Sequence, residues 1–225
     1  MKPFQFTYDG TTLDYFSHPY NNTRHNERAI EIPIFWNYIQ EWKGLVEPKQ
    51  IMEIGNTLSH YYLFPHVIID KWEPGNGVTN VDLLEFNTDE KFPFIFSIST
   101  LEHIGQDERP SEPDKCIKAI EKIRSLLEVG GFALISFPLA YNPFLDNALK
   151  DNPDLFDAII CMRRGKYNEW EQVALDTVWN TNYGPEIVDI GIIEGAQLVK
   201  RFHTHVVFGY LYKEEKIEKS FNYGH

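Results

Sequence analysis

Residues 50–62, Gln-Ile-Met-Glu-Ile-Gly-Asn-Thr-Leu-Ser-His-Tyr-Tyr, constrain the fold more than any other stretch of this 225-residue chain. Ile51-Met52-Glu53-Ile54 is a short apolar run that stops at Gly55, and Asn56, Thr57 and Ser59 are residues of the kind that open helices. A buried strand, a glycine and then a helix start make the first βα turn of an open α/β sheet. In such sheets the ligand crevice lies at the carboxyl ends of the strands. The pattern predicts a strand over 50–54 and a helix running on through Tyr62.

The rest of the chain supplies the partners of that strand. Val67-Ile68-Ile69-Asp70 reads as a second buried strand ending in an acid, and residues 79–82 as a short third one, again ending in an acid, Asp82. Residues 93–99 are apolar in the way of a strand covered on both faces. From 114 to 128, Cys116, Ile117, Ile120, Ile123 and Leu126 recur at helical spacing, with Ser111 and Asp114 as a capping box and Gly130-Gly131 as the stop. Residues 132–137 follow as a fifth strand, and 196–212 are strand-like. Upstream, 26–42 has a helical period that Pro33 is expected to divide in two, and 1–25 reads as an arm without a sustained period. Alternating strands and helices predict a single α/β domain, with a Rossmann-like, doubly wound, mainly parallel sheet and helices on both faces.

Charge and motif content narrow the chemistry. With 33 acids against 21 bases the formal charge is −12, and no basic cluster offers a phosphate backbone a face, so nucleic acid is not the expected partner. No GxGxxG follows the first strand and no P-loop motif occurs, which argues against dinucleotides and nucleoside triphosphates. Cys116 and Cys161 form no CxxC pair. His203 and His205 alternate on one strand face without a carboxylate-rich partner motif, so no metal site is expected. No apolar run approaches the roughly 18 residues of a membrane span, and the first residues lack a signal-peptide core, which places the chain in the cytoplasm as an expectation. Tyr20, Asn21 and Arg24 are candidates for a lid over the crevice, and Arg163-Arg164 for a solvated basic pair.

The order of these pieces resembles the class I S-adenosylmethionine-dependent methyltransferases over roughly residues 50–140. The resemblance rests on Glu53-Ile54-Gly55, on the strand-end acids Asp70 and Asp82, and above all on Ser97-Ile98-Ser99-Thr100-Leu101-Glu102-His103, followed by a helix, Gly130-Gly131 and another strand. More narrowly, Asn21-Asn22-Thr23-Arg24-His25-Asn26-Glu27-Arg28, Glu53-Ile54-Gly55-Asn56 and Phe137-Pro138-Leu139-Ala140-Tyr141-Asn142-Pro143 look like methyltransferase-like proteins that accompany bacterial glycan-assembly genes. The resemblance implies S-adenosyl-L-methionine as cofactor, held by Glu53, Gly55, Asn56, Asp70, Lys71, Asp82, Leu83, Ser99 and Leu101. In that family Asp70 would take the ribose hydroxyls and Asp82 the adenine amino group. It further implies a small-molecule acceptor, with a sugar or nucleotide-sugar hydroxyl preferred. Residues 1–44 would then be an arm with helices, 45–140 the cofactor core, and 141–225 late strands with substrate-side insertions. The family's first motif usually has two more glycines, where this chain has Thr57 and Ser59, and a Thr57 side chain narrows the backbone approach.

His103 is the expected catalytic residue. Methyl transfer from a sulfonium needs alignment first, and a hydroxyl acceptor also gains from a positioned base, a role imidazole fills near neutral pH. Two other readings stand beside this one. The first is a non-catalytic scaffold that keeps the fold, which the missing glycines favour. The second is an α/β enzyme using another nucleoside cofactor.

Overall fold

Asp9 and Gly10 both take positive φ, 46° and 76°, and close a two-residue turn between β1 (Gln5–Tyr8) and β2 (Thr11–Asp14). The computed structural model, which describes residues 4–165, 167–179 and 205–214, thus opens on a hairpin where an irregular arm is expected. Helix α1 (Arg28–Trp42) follows, and Pro33 sits in its interior without splitting it. Proline has no N–H to give the Ala29 carbonyl, and that oxygen instead accepts the backbone N–H of Phe16 at 2.9 Å. Ala29, Ile30, Ile32, Ile34, Phe35 and Ile39 are all buried, so α1 is apolar nearly all round. It lies between the main sheet and the hairpin, whose Phe6 and Tyr8 join the same cluster.

The main sheet is built from β3 (Ile51–Ile54), β4 (Val67–Ile69), β5 (Val78–Thr79), β6 (Phe92–Ile98), β7 (Leu127–Pro138), β8 (Ala158–Arg164), β9 (Trp170–Val173) and β10 (His205–Tyr212). Its order is β5-β4-β3-β6-β7-β10-β8-β9. The first five strands of that order are parallel, and β10 runs antiparallel to both β7 and β8. Helices α2 (Lys115–Leu126) and α3 (Pro143–Asp151) cover one face, and α1 with the hairpin covers the other. This is a Rossmann-like, mainly parallel α/β sheet. The chain turns outward from β3 to β4 and β5 and then returns to β6, so the topological switch point lies between β3 and β6. All seven residues of β6 are buried, Ser97 among them, as a run otherwise apolar requires.

Several local expectations are corrected. No α-helix follows β3: residues 55–66 hold a single 3-10 turn, Leu58–His60. Those twelve residues are the whole crossover to β4, about the minimum that joins parallel strands. They are committed to packing, with Tyr62 stacked on Trp36 at 4.0 Å. The third strand is shorter than expected, so Asp82 lies beyond β5 in a turn that its own carbonyl holds through Glu85 and Phe86. Ser111 does not cap α2; its hydroxyl donates to the Gly105 carbonyl at 3.0 Å. Gly130 and Gly131 lie within β7 rather than stopping the helix, which ends at Leu126. His203 lies outside the described residues, so the histidine pair is not seen whole. Among the described residues there is no cluster of metal-ligating side chains, and no helix is long and apolar enough to cross a membrane.

Candidate functional site

The carboxyl ends of β3, β4 and β6 open into a cavity of about 400 Å³. Gly55, Asn56, Asp70, Lys71, Asp82, Leu83, Ser99 and His103 all line it. Eight of the ten residues expected at the site are therefore brought together from five separate stretches. Glu53 and Leu101 are not among them. Leu101 is packed in the core under α2 and α3. Glu53 is fully buried, with Oε1 accepting the N–H groups of Thr57 (2.9 Å) and Leu58 (2.8 Å) and Oε2 lying 2.7 Å from His66 Nε2.

Gly55 is required by both conformation and space. Its φ is +89°, and a Cβ there would lie 2.1 Å from Thr100 Oγ1. Gly55→Ala is expected to cost more than about 2 kcal/mol in a urea titration. A loss below about 0.5 kcal/mol would show that the turn adapts freely.

Asp70 does more than face the cavity. Its Oδ1 accepts the backbone N–H of Trp72 (2.8 Å) and Glu73 (2.6 Å), and its Oδ2 that of Asn56 (3.0 Å). One lone-pair direction of Oδ2 is left for a ligand hydroxyl. The amides of Asn56, Thr57 and Leu58 are thus all taken by protein carboxylates, so the loop after β3 has no spare nest for a phosphate. Thr57 lines the cavity and donates its hydroxyl to the Ile98 carbonyl at 3.2 Å.

Asp82 anchors a buried ionic cluster that the sequence reading missed. Its Oδ2 is 2.6 Å from Lys115 Nζ and 2.9 Å from Lys71 Nζ, and both ammonium groups also bond Glu108. Burial alone would raise the Asp82 carboxyl, but the two lysines and the Leu84 N–H hold it down to about 2. Glu108 is held low by the same lysines against its own burial. Asp82 keeps one acceptor direction, on Oδ1, because Leu84 N–H takes the other. Val81, Leu83 and Ile104 supply apolar wall beside it.

At the other end Ser99 takes a φ of +41°, a strained value for a side-chain-bearing residue. It is pinned there: its N–H donates to the Ser136 carbonyl at 3.0 Å, and its hydroxyl to Glu31 Oε1 at 2.6 Å. Glu31, fully buried on α1, also accepts the Ser136 hydroxyl at 2.7 Å and pairs with Arg28, which reaches the cavity wall. Arg28, not Arg24, is the arginine of the site. Burial opposes its charge, but Glu31 and Glu27 more than compensate and raise it. Burial pushes the nearby Glu102 carboxyl well above the ordinary range.

His103 sits in the 3-10 turn after β6, partly exposed. Its Nδ1 is 2.6 Å from Asp107 Oδ2, which also accepts the Tyr141 hydroxyl at 2.7 Å, while Nε2 is 3.7 Å from Glu102 Oε1. Burial works to raise the Asp107 carboxyl, yet His103 and Tyr141 hold it low and ionised. The imidazole is thus held in the tautomer that carries its proton on Nδ1, which leaves Nε2 as the basic nitrogen. Of the three residues expected over the crevice, Tyr20 and Asn21 line the cavity and Arg24 does not, with the Tyr20 ring stacked on His60 at 4.2 Å. Arg163 and Arg164 do not line it. Arg163 is partly exposed and pairs with Glu171 across β8 and β9, as a solvated arginine does, whereas Arg164 is buried and donates to the His25 carbonyl.

Fold and crevice together make this a Rossmann-like α/β protein with its cavity at the switch point. No family model matches the chain, and no curated protein matches it. Solved structures do. An rRNA methylase from Streptococcus thermophilus is 12% identical over 80% of this chain and 96% of its own, with a TM-score of 0.40. The N-methyltransferase NodS from Bradyrhizobium japonicum WM9, in complex with S-adenosylhomocysteine, is 13% identical over 81% of this chain and 94% of its own, TM-score 0.37. The sugar N-methyltransferase KedS8 from Streptoalloteichus sp. ATCC 53650 is 13% identical over 54% of each chain, TM-score 0.35. The chain spans about half the length of several such structures. At these identities and scores no activity is carried across from them.

Proposed function

We propose that the protein is an S-adenosylmethionine-dependent methyltransferase acting on a small molecule. The observation that carries this reading is the convergence of Gly55, Asp70, Asp82, Leu83, Ser99 and His103, picked out by the methyltransferase resemblance, on one cavity at the switch point. When bound, the cofactor would supply an electrophilic methyl group. Asp70 Oδ2 would accept from its ribose, Leu83, Val81 and Ile104 would cover its base, and Asp82 Oδ1 would accept from the base edge. The absence of a phosphate nest suits a cofactor that has no phosphate. His103, oriented by Asp107, would take the proton of the acceptor. A sugar is the acceptor scaffold that the narrower sequence likeness favours.

Calorimetric titration with S-adenosylmethionine and with S-adenosylhomocysteine tests the reading, with micromolar affinity expected for each. No heat and no thermal shift up to millimolar ligand would overturn it in favour of a scaffold. Asp70→Asn is expected to weaken binding at least about tenfold. It is a better probe than Asp70→Ala, which would release three backbone N–H groups and loosen both turns. Unchanged affinity in Asp70→Asn would remove the ribose role.

A further inference from the structure

We infer that the acceptor presents an amine and carries no phosphate, its ammonium form being drawn in by the excess negative charge of the cavity. This rests on the methyltransferase reading and departs from a nucleotide-sugar hydroxyl as acceptor.

Five carboxylates line the cavity, Asp70, Glu73, Asp82, Asp107 and Glu108, against two cations, Arg28 and Lys71. Both cations are already matched: Arg28 pairs with Glu31, and Lys71 together with Lys115 behind the wall balances Asp82 and Glu108, which leaves Asp70, Glu73 and Asp107 without a lysine or arginine partner. The two lining histidines also face carboxylates, His60 with Glu73 at 2.6 Å and His103 with Asp107. The amides of Asn56, Thr57 and Leu58, the natural anion donors after β3, are spent on Asp70 and Glu53. Among the described residues, an incoming phosphate would therefore meet no unmatched cation and no open amide nest, only like charge. An ammonium meets the reverse: the carboxylates of Glu73 and Asp107, which neither the cofactor contacts nor a lysine claims, and the aromatic rings of Tyr20 and Tyr61 in the lining.

The second observation is independent of net charge. An ammonium has no lone pair and must lose a proton before it can act as a nucleophile. With Nδ1–H committed to Asp107, His103 receives that proton at Nε2, and the N–H bonding pair stays on the acceptor nitrogen as its lone pair. The resulting imidazolium stays paired with Asp107, whose Oδ2 is 2.6 Å from Nδ1.

The test has two stages. The protein is first loaded with S-adenosylhomocysteine; failure at this stage defeats the methyltransferase reading, and with it this one. The loaded protein is then titrated with glucosamine, glucose and glucose 1-phosphate at low and high salt. Glucosamine is expected to bind about tenfold more tightly than glucose at low salt, with the gap narrowing at high salt and glucose 1-phosphate weakest. Equal binding of glucosamine and glucose, tighter binding of glucose 1-phosphate, or binding of none of the three to the loaded protein would overturn the proposal.

Discussion

On the proposed methyltransferase reading, replacing His103 by asparagine is expected to lower kcat for methyl transfer to an amine acceptor by about a hundredfold or more, with the affinity for S-adenosylhomocysteine staying close to that of the unaltered protein. The reasoning is geometric. His103 lines the cavity, and its Nδ1 is held at 2.6 Å by Asp107, which Tyr141 holds in turn. Asparagine keeps polarity near Asp107 but offers no basic nitrogen on the cavity side. Asp107→Asn is expected to lower kcat less, about tenfold, without moving the donor affinity or the thermal midpoint. Asp107 is half exposed, so its removal leaves no buried cavity behind. A loss confined to KM in His103→Asn would mean that the imidazole shapes the pocket and moves no proton. A fall in thermal midpoint for Asp107→Asn would mark a structural role instead.

The second large effect concerns stability. Lys115→Met is expected to cost about 3 kcal/mol at neutral pH, read from the urea midpoint. The ammonium is nearly buried and bonds both Asp82 and Glu108, and only Lys71 remains to serve the two carboxylates once it is gone. The acid limb of stability gives an independent signature. Asp82 is held at about 2 against an ordinary value of 3.8. Because the folded value is the lower one, its contribution is present above pH 4 and is lost as pH falls through about 2; the gap corresponds to about 2 kcal/mol. Lys115→Met should flatten that limb. An unfolding midpoint that barely changes, with an unaltered acid limb, would show that Lys71 alone suffices.

Much of the sheet is legible in the sequence because its strands announce themselves. Ile51 to Ile54, Val67 to Ile69 and β6 are apolar apart from Glu53 and Ser97, and both of those are buried, Glu53 with partners. The cavity residues are legible for the same reason: a residue just past a buried strand has to sit at the sheet's edge. What could not be read is set by contacts across the chain. Cap-type residues after Gly55 signal a helix, but Glu53 and Asp70 take the amides and the crossover is too short to carry one. Pro33 signals a break, but the Phe16 amide supplies the partner that Ala29 lacks. The Asp9-Gly10 turn was open to a local reading, since that dipeptide is a strong hairpin signal. Glu31, an acid inside an apolar helix, also carried a visible hint of a buried role. Lys115 and Glu108 gave none, because nothing local shows that a lysine opening a helix turns inward to Asp82.

The proline in α1 has a consequence for chain alignment. It leaves one acceptor on a helix that is otherwise self-sufficient at that level, and one amide of the N-terminal segment fills it. That single bond works as an index mark. Were the segment to slide by one residue, the Ala29 oxygen would be stranded among buried isoleucines, and Tyr20 would lose its place over His60. The placement of Tyr20 and Asn21 at the crevice is thereby coupled to one missing hydrogen on residue 33. A chain shortened past Phe16 should accordingly lose the fit of α1 as well as its cover.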